Sequence, residues 1–140
     1  MSDPNNPCRF CTPRGVTRRN ELAYCERDSY PVSPGHSLVI PFRHCANFFD
    51  VTPGEMSACT ELLVQERQAI DEEFNPDGYN VGVNVNAAGG QSIFHVHIHL
   101  IPRYTGDSAH PQGGVRQVIP EKADYPRNGP RENHCEEQGD

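Results

Sequence analysis

The residues of this chain best suited to chemistry are three histidines, His95, His97 and His99, set alternately with Val96, Ile98 and Leu100 in GGQSIFHVHIHLIPR (89–103). Successive side chains of a β-strand point to opposite faces, so the alternation predicts three imidazoles on one face and three aliphatics on the other. Imidazoles two residues apart on a strand are roughly 6.5–7 Å apart at their backbones, so neighbouring rings can converge on one atom. That atom is either a metal ion, as in zinc sites of three histidines with an open position for water, or the phosphorus of a phosphate ester. A polar strand face with no role is the third possibility. The preceding loop favours phosphate. Gly89 and Gly90 let the backbone approach a ligand closely, and Gln91 and Ser92 add side-chain donors, which together make a neutral nest for phosphate oxygens.

The elements that must position these groups are legible from pattern. ELAYCERD (21–28) reads as a strand, YPVSPG (30–35) as a loop and HSLVIPF (36–42) as a buried strand. Thr52-Pro53-Gly54-Glu55 announces a helix, with Thr52 as cap, Pro53 in the first position and Glu55 completing a capping box. Met56, Cys59, Leu63, Ile70 and Phe74 recur at helical spacing up to the break at Asn75-Pro76-Asp77-Gly78. YNVGVNV (79–85) and IFHVHIHLI (93–101) read as antiparallel neighbours. Residues 1–20 read as irregular, VRQVI within 113–125 as a short added strand, and 126–140 as a disordered polar tail. Strands on either side of one good helix make an α+β domain with an antiparallel sheet, spanning residues 1–125.

Composition narrows the function. The net charge of −7 argues against binding long nucleic acids, whose backbones demand basic patches. No apolar run reaches membrane-spanning length and the first residues lack a signal-peptide pattern, so a cytoplasmic location without membrane attachment is expected. Six cysteines are unevenly spaced, which points to free thiols or metal ligation before disulfides. Only Cys8 and Cys11 form a tight pair, and Cys-x-x-Cys supplies half of a tetrahedral zinc site. A redox dithiol is the other use of that spacing, but Pro13-Arg14-Gly15 offers no helix start to stabilise a thiolate.

The motif from His95 to Ile101, His-φ-His-φ-His-φ-φ with φ hydrophobic, resembles that of the histidine triad superfamily of nucleotide hydrolases and transferases. The resemblance extends over about residues 8–104, through Asp28-x-x-Pro31-x-x-x-Gly35-His36, LVIP (38–41), GYNVGVN (78–84) and GGQS (89–92). It implies a five-stranded antiparallel sheet with one long and one short helix, paired into a homodimer with a continuous sheet. It implies that His97 is the nucleophile on a nucleotide α-phosphate, a role open to a neutral imidazole near neutral pH. His99 would then contact the non-bridging oxygens, helped by Asn84, Gly90, Gln91 and Ser92. His36 would orient the nucleophile, and Asp28 would hold the ribose hydroxyls. The third histidine, replaced by glutamine in transferase relatives, favours hydrolysis. Many relatives carry glycine where this chain has Asn86, and asparagine tolerates positive φ better than most residues.

Bacterial members with a similar cysteine pair bind structural zinc, which here implies Cys8, Cys11, His44 and His95 as ligands. The expected function is hydrolysis of dinucleoside polyphosphates or nucleoside phosphoramidates through a nucleotidyl-histidine, releasing a nucleoside monophosphate. A zinc hydrolase built on His95, His97 and His99, and a nucleotide-binding interaction protein with vestigial turnover, are the competing readings.

Overall fold

The computed structural model describes residues 6–124. They form two compact units that separate after Asp107. The boundary expected at 125 falls at the edge of the described residues, and the expected tail, 126–140, lies outside them.

The first unit is a five-stranded antiparallel sheet carrying one long helix. Its strands are β1 (Val16–Arg19), β2 (Ala23–Arg27), β3 (Ser37–Pro41), β4 (Gly78–Gly82) and β5 (Ile98–Arg103), and the helix is α1 (Pro53–Phe74). The strand order is β1-β2-β3-β5-β4, with every neighbouring pair antiparallel. α1 starts where the sequence places it: Thr52 Oγ1 accepts from the Glu55 N–H at 3.1 Å, and the Glu55 carboxylate accepts from the Thr52 N–H at 3.0 Å. Its buried face consists of Glu55, Cys59, Leu62, Glu66 and Ile70. Leu62 therefore takes the core position expected of Leu63, and Met56 and Phe74 are only half-buried.

The sheet's period of two divides the work between its faces. Ala23, Cys25, Val39 and Ile98 pack beneath Cys59 and Leu62 of α1. Tyr24, Leu38 and Ile40 point the other way and pack with Phe10. The loop entering β3 is held tightly against the helix face. At Gly35 φ is +91°, and a Cβ there would meet Phe74, Ile70 and Pro102 at 3.0–3.2 Å. A side chain is excluded twice over, by conformation and by space, and the glycine sets where His36 begins.

Three sequence expectations change. Residues 16–19, read as irregular, form the edge strand β1, tied to the helix by Thr17, whose hydroxyl donates to the buried Glu66 at 3.2 Å. The histidine segment enters regular pairing only at Ile98, because the Val96 N–H donates to Cys45 O (2.8 Å) beyond the end of β3. His95 and His97 thus lead into the strand, and only His99 lies within it. In the second unit VRQVI is not a strand: Val115 to Val118 lie in a 3₁₀ helix, Gly114–Val118, which Ile119 ends in an extended conformation, and Arg116 donates to the carbonyls of Lys122 and Ala123. Among the described residues no helix is long and apolar enough to cross a membrane.

Candidate active site and metal centre

β3 and β5 bring His36 and His99 together. Leu38 lies opposite His99 in the register, and His36, one pleat back from Leu38, reaches His99 along the same face, with His36 Nε2 2.9 Å from His99 Nδ1. The Val32 N–H donates to His36 Nδ1 at 3.0 Å, so the His36 proton sits on Nε2 and donates to His99 Nδ1. His99 must then carry its own proton on Nε2. Asp28 Oδ2, 3.5 Å from His36 Nε2, stands beside this relay.

His97 is fixed in the same way. Its Nδ1–H donates to His95 O at 2.8 Å, which leaves the Nε2 lone pair free. The rings of His97 and His99 are 5.1 Å apart, and Phe10 covers His97 with ring centres at 4.9 Å. Burial pushes the His99 imidazole down to about 4, with the neighbouring His97 and His36 acting in the same direction and Asp28 opposing them. Burial also lowers His36, again against Asp28. Both rings are therefore neutral near pH 7. His97 thus offers one free lone pair and His99, beside it, one N–H donor, which suits attack at phosphorus with stabilisation of its oxygens.

These nitrogens face a cavity of about 520 Å³ whose walls include Asp28, Asn84 and Ser92 as well as His97 and His99. The sequence therefore found five of the residues that line it. It missed Arg9, Phe10, Arg14, Glu26 and Leu38 on the same walls. Alternation along β2 back from Asp28 to Glu26 carried a signal for one of them; Arg9 had none. Asp28 also shapes its own turn, with Oδ1 accepting from the Tyr30 N–H at 2.8 Å.

The glycine-rich loop reaches the cavity through Ser92, while Gly90 and Gln91, expected to bind phosphate, do not line it. Gly90 has φ +92°, with Asn84 at its edge. Gln91 is turned inward: its amide donates to Ala46 O (2.7 Å) and Ile93 O (3.1 Å) and accepts from the Asn86 N–H (2.9 Å). Its side chain braces the loop, and the N–H groups of Gly89, Gly90 and Gln91 are spent on the carbonyls of Asn86 and Ala87, so the donor the loop offers a ligand is the Ser92 hydroxyl. Asn86 takes the left-handed side as expected, at φ +63° and ψ 168°.

His95 faces away from the cavity. Its Nε2–H donates to Pro41 O at 2.7 Å, and Nδ1 lies 3.5 Å from Cys8 Sγ and 3.6 Å from Cys11 Sγ. His44 Nδ1 stands 3.2 Å from Cys11 Sγ, and the ligand atoms of all four residues fall within 4.8 Å of one another. Zinc–sulfur bonds of about 2.3 Å and zinc–nitrogen bonds of about 2.05 Å set S and N about 3.5 Å apart in a tetrahedron, so the donor set and its spacing fit zinc. A carbonyl fixing the far ring nitrogen is the usual support for a histidine ligand. His95, His97 and His99 thus turn their Nδ1 atoms to three different partners and do not converge on one point.

The family model described as the HIT domain matches residues 10–106. An AP-4-A phosphorylase of Mycobacterium tuberculosis is 34% identical over 94 residues, 66% of this chain and 48% of that protein. A bis(5'-nucleosyl)-tetraphosphatase [asymmetrical] of Schizosaccharomyces pombe is 36% identical over 92 residues, 66% of this chain and 50% of that one. The chain thus spans about half the length of these two relatives. Among solved structures, a Zn-bound histidine triad family protein of Mycobacterium smegmatis shares 29% identity at a TM-score of 0.67, covering 74% of this chain and 80% of that one. A HIT family protein of Bacillus anthracis shares 31% identity at a TM-score of 0.69, covering 84% and 89%.

Proposed function

The chain belongs to the HIT domain family, and we propose that it is a nucleotide hydrolase that cleaves at the α-phosphate of dinucleoside polyphosphates or nucleoside phosphoramidates. The observation that carries this reading is the fixed proton arrangement: a free Nε2 lone pair on His97 next to an Nε2–H on His99, both at one cavity. His97 Nε2 bonds to the α-phosphorus while the bond to the leaving group breaks, and the leaving group departs with that electron pair, as a phosphate anion or as an amine that takes a proton from solvent. Water then attacks phosphorus and gives up a proton to solvent, the P–N bond breaks with its electron pair returning to His97 Nε2, and a nucleoside monophosphate leaves. His99 donates to a non-bridging oxygen, supported by the Ser92 hydroxyl, while Asn84 and Asp28 hold the nucleotide. The relatives named for AP-4-A and bis(5'-nucleosyl)-tetraphosphate chemistry support the substrate class.

Cys8, Cys11, His44 and His95 would hold structural zinc, which supplies a cross-link between the N-terminal segment and the sheet. The Zn-bound neighbour supports this assignment. Phe10, between the two cysteines, is thereby held over His97. A catalytic metal on His95, His97 and His99 is disfavoured by their divergent Nδ1 partners. The edge strand β4, with Val81 half exposed, supports a homodimer in which a second copy continues the sheet. A reducing cytoplasm suits the free thiols among the described residues.

Turnover of diadenosine and diguanosine tetraphosphates and of the matching nucleoside phosphoramidates, followed by release of monophosphate, tests the reading. His97→Ala should fold, keep its zinc and lose activity by at least about 10³-fold. Loss of zinc together with activity would move the chemistry to metal-activated water. Failure of the wild-type protein to turn over either substrate would leave a binding protein.

A further inference from the structure

The end of the cavity away from the histidines contains an ion pair. Glu26 is only 2% exposed, yet it forms part of the cavity wall, and Arg9 Nη2 donates to its Oε1 at 2.7 Å. The Arg14 N–H donates to Glu26 Oε2 at 3.3 Å, and Arg9 Nη1 donates to Thr12 O at 3.3 Å. A carboxylate has about four acceptor sites, so Glu26 keeps capacity on both oxygens. Glu26 is buried while the Arg9 side chain is 26% exposed, and a carboxylate taken out of water in a ligand cavity is costly and adds little to stability over a hydrophobic residue of the same shape. Its cost is justified where it reads a ligand.

The sheet register says what it can read. Glu26 lies opposite Leu38, and Leu38 lies opposite His99. Two strand spacings, roughly 9.5 Å, therefore separate Glu26 from His99 across the cavity floor. That matches the reach from the α-phosphate of a nucleotide to the hydrogen-bonding edge of its base. With phosphate at His97 and His99 and ribose at Asp28, the base lies over Leu38 beside Phe10, and its edge meets Arg9 and Glu26.

We propose that the Arg9–Glu26 pair makes this cavity selective for guanine. This inference rests on the nucleotide reading above. Guanine presents O6, an acceptor, next to N1–H and the N2 amino group, both donors. The guanidinium of Arg9 donates to O6, and the carboxylate of Glu26 accepts from N1–H and N2–H. Adenine presents an amino donor to Arg9 and an unprotonated N1 to the carboxylate, so it is mismatched at both positions. Buried polar groups left facing the wrong partner are a strong basis for discrimination.

Equilibrium titration of the full chain with GMP, IMP and AMP tests the inference without requiring turnover. The wild-type protein should bind GMP about 10–100-fold more tightly than AMP, the range of one good bidentate base contact, with IMP, which lacks the N2 amino group, in between. Glu26→Gln, which exchanges one acceptor for a donor, should bring the GMP-to-AMP ratio close to one while AMP still binds. Equal or tighter binding of AMP by the wild type overturns the inference and leaves the nucleotide reading intact, and this arm needs no variant to fold. An unchanged ratio in folded Glu26→Gln overturns the role of Glu26. If none of the three monophosphates binds, the proposed function itself fails and the inference falls with it.

Discussion

His36 Nε2 lies 2.9 Å from His99 Nδ1, and this one bond decides which nitrogen of His99 carries a proton into the cavity. The order of donors starts at the Val32 backbone N–H and ends at His99 Nε2–H, so a peptide group outside the cavity sets the polarity of a group inside it.

His36 accordingly acts as a positioning residue. Its replacement by alanine leaves His99 free to move its proton to Nδ1 and to rotate. In steady-state kinetics His36→Ala should lower kcat roughly 10-fold with KM little changed. His99→Ala, which removes the donor itself, should cost about 10²–10³. Equal KM effects and an unaffected kcat would assign both residues to binding.

The buried histidines make stability depend on pH. His99 is pushed down to about 4 by burial, then by His97 and His36, and His36 is lowered in the same direction. An unfolded histidine titrates near 6.5, so between about 6.5 and 4 the unfolded chain binds protons that the folded chain refuses. The associated stability is fully present above about 6.5 and is lost as pH falls towards 4. Urea midpoints should fall across that window, and the decline should be shallower in His99→Gln. Parallel declines in the two proteins would contradict the placement of His99.

Asn86 occupies φ +63°, ψ 168°, a region nearly reserved for glycine. Its backbone is over-determined, since its N–H donates to Gln91 Oε1 and its carbonyl accepts from Gly89 and Gln91. Asn86→Gly should relieve about 1–3 kcal/mol of strain against an entropy cost of about 0.5–1 kcal/mol, for a net gain of about 1 kcal/mol. Thermal melting reads it directly, and a lowered melting temperature would show that the asparagine side chain contributes more than its backbone costs.

Legibility from sequence tracked how local each signal was. The start of α1 was plain because Thr52 and Glu55 satisfy each other three residues apart. β3 was plain because all five of its residues are buried. β1 was not, because its four residues are largely exposed and Thr17 finds its partner, Glu66, 49 residues away. The cysteine and histidine cluster emerged from family resemblance, and the structure gathers those same four side chains. Residue type also does not give direction: Gln91 was expected to face a ligand, yet loop closure turns its amide onto Ala46 and Ile93. The Arg9–Glu26 pair stayed hidden because Arg9 precedes the first strand and meets β2 only in three dimensions.

The central claim is that His97 Nε2 becomes covalently bonded to the nucleotide. Intact mass spectrometry after brief incubation with diadenosine or diguanosine tetraphosphate, quenched without acid because phosphoramidates are acid-labile, tests it most directly. Wild type should gain the mass of one nucleotidyl group and His97→Ala should gain none. Absence of the adduct from both proteins, with hydrolysis continuing in both, would contradict nucleophilic catalysis by His97.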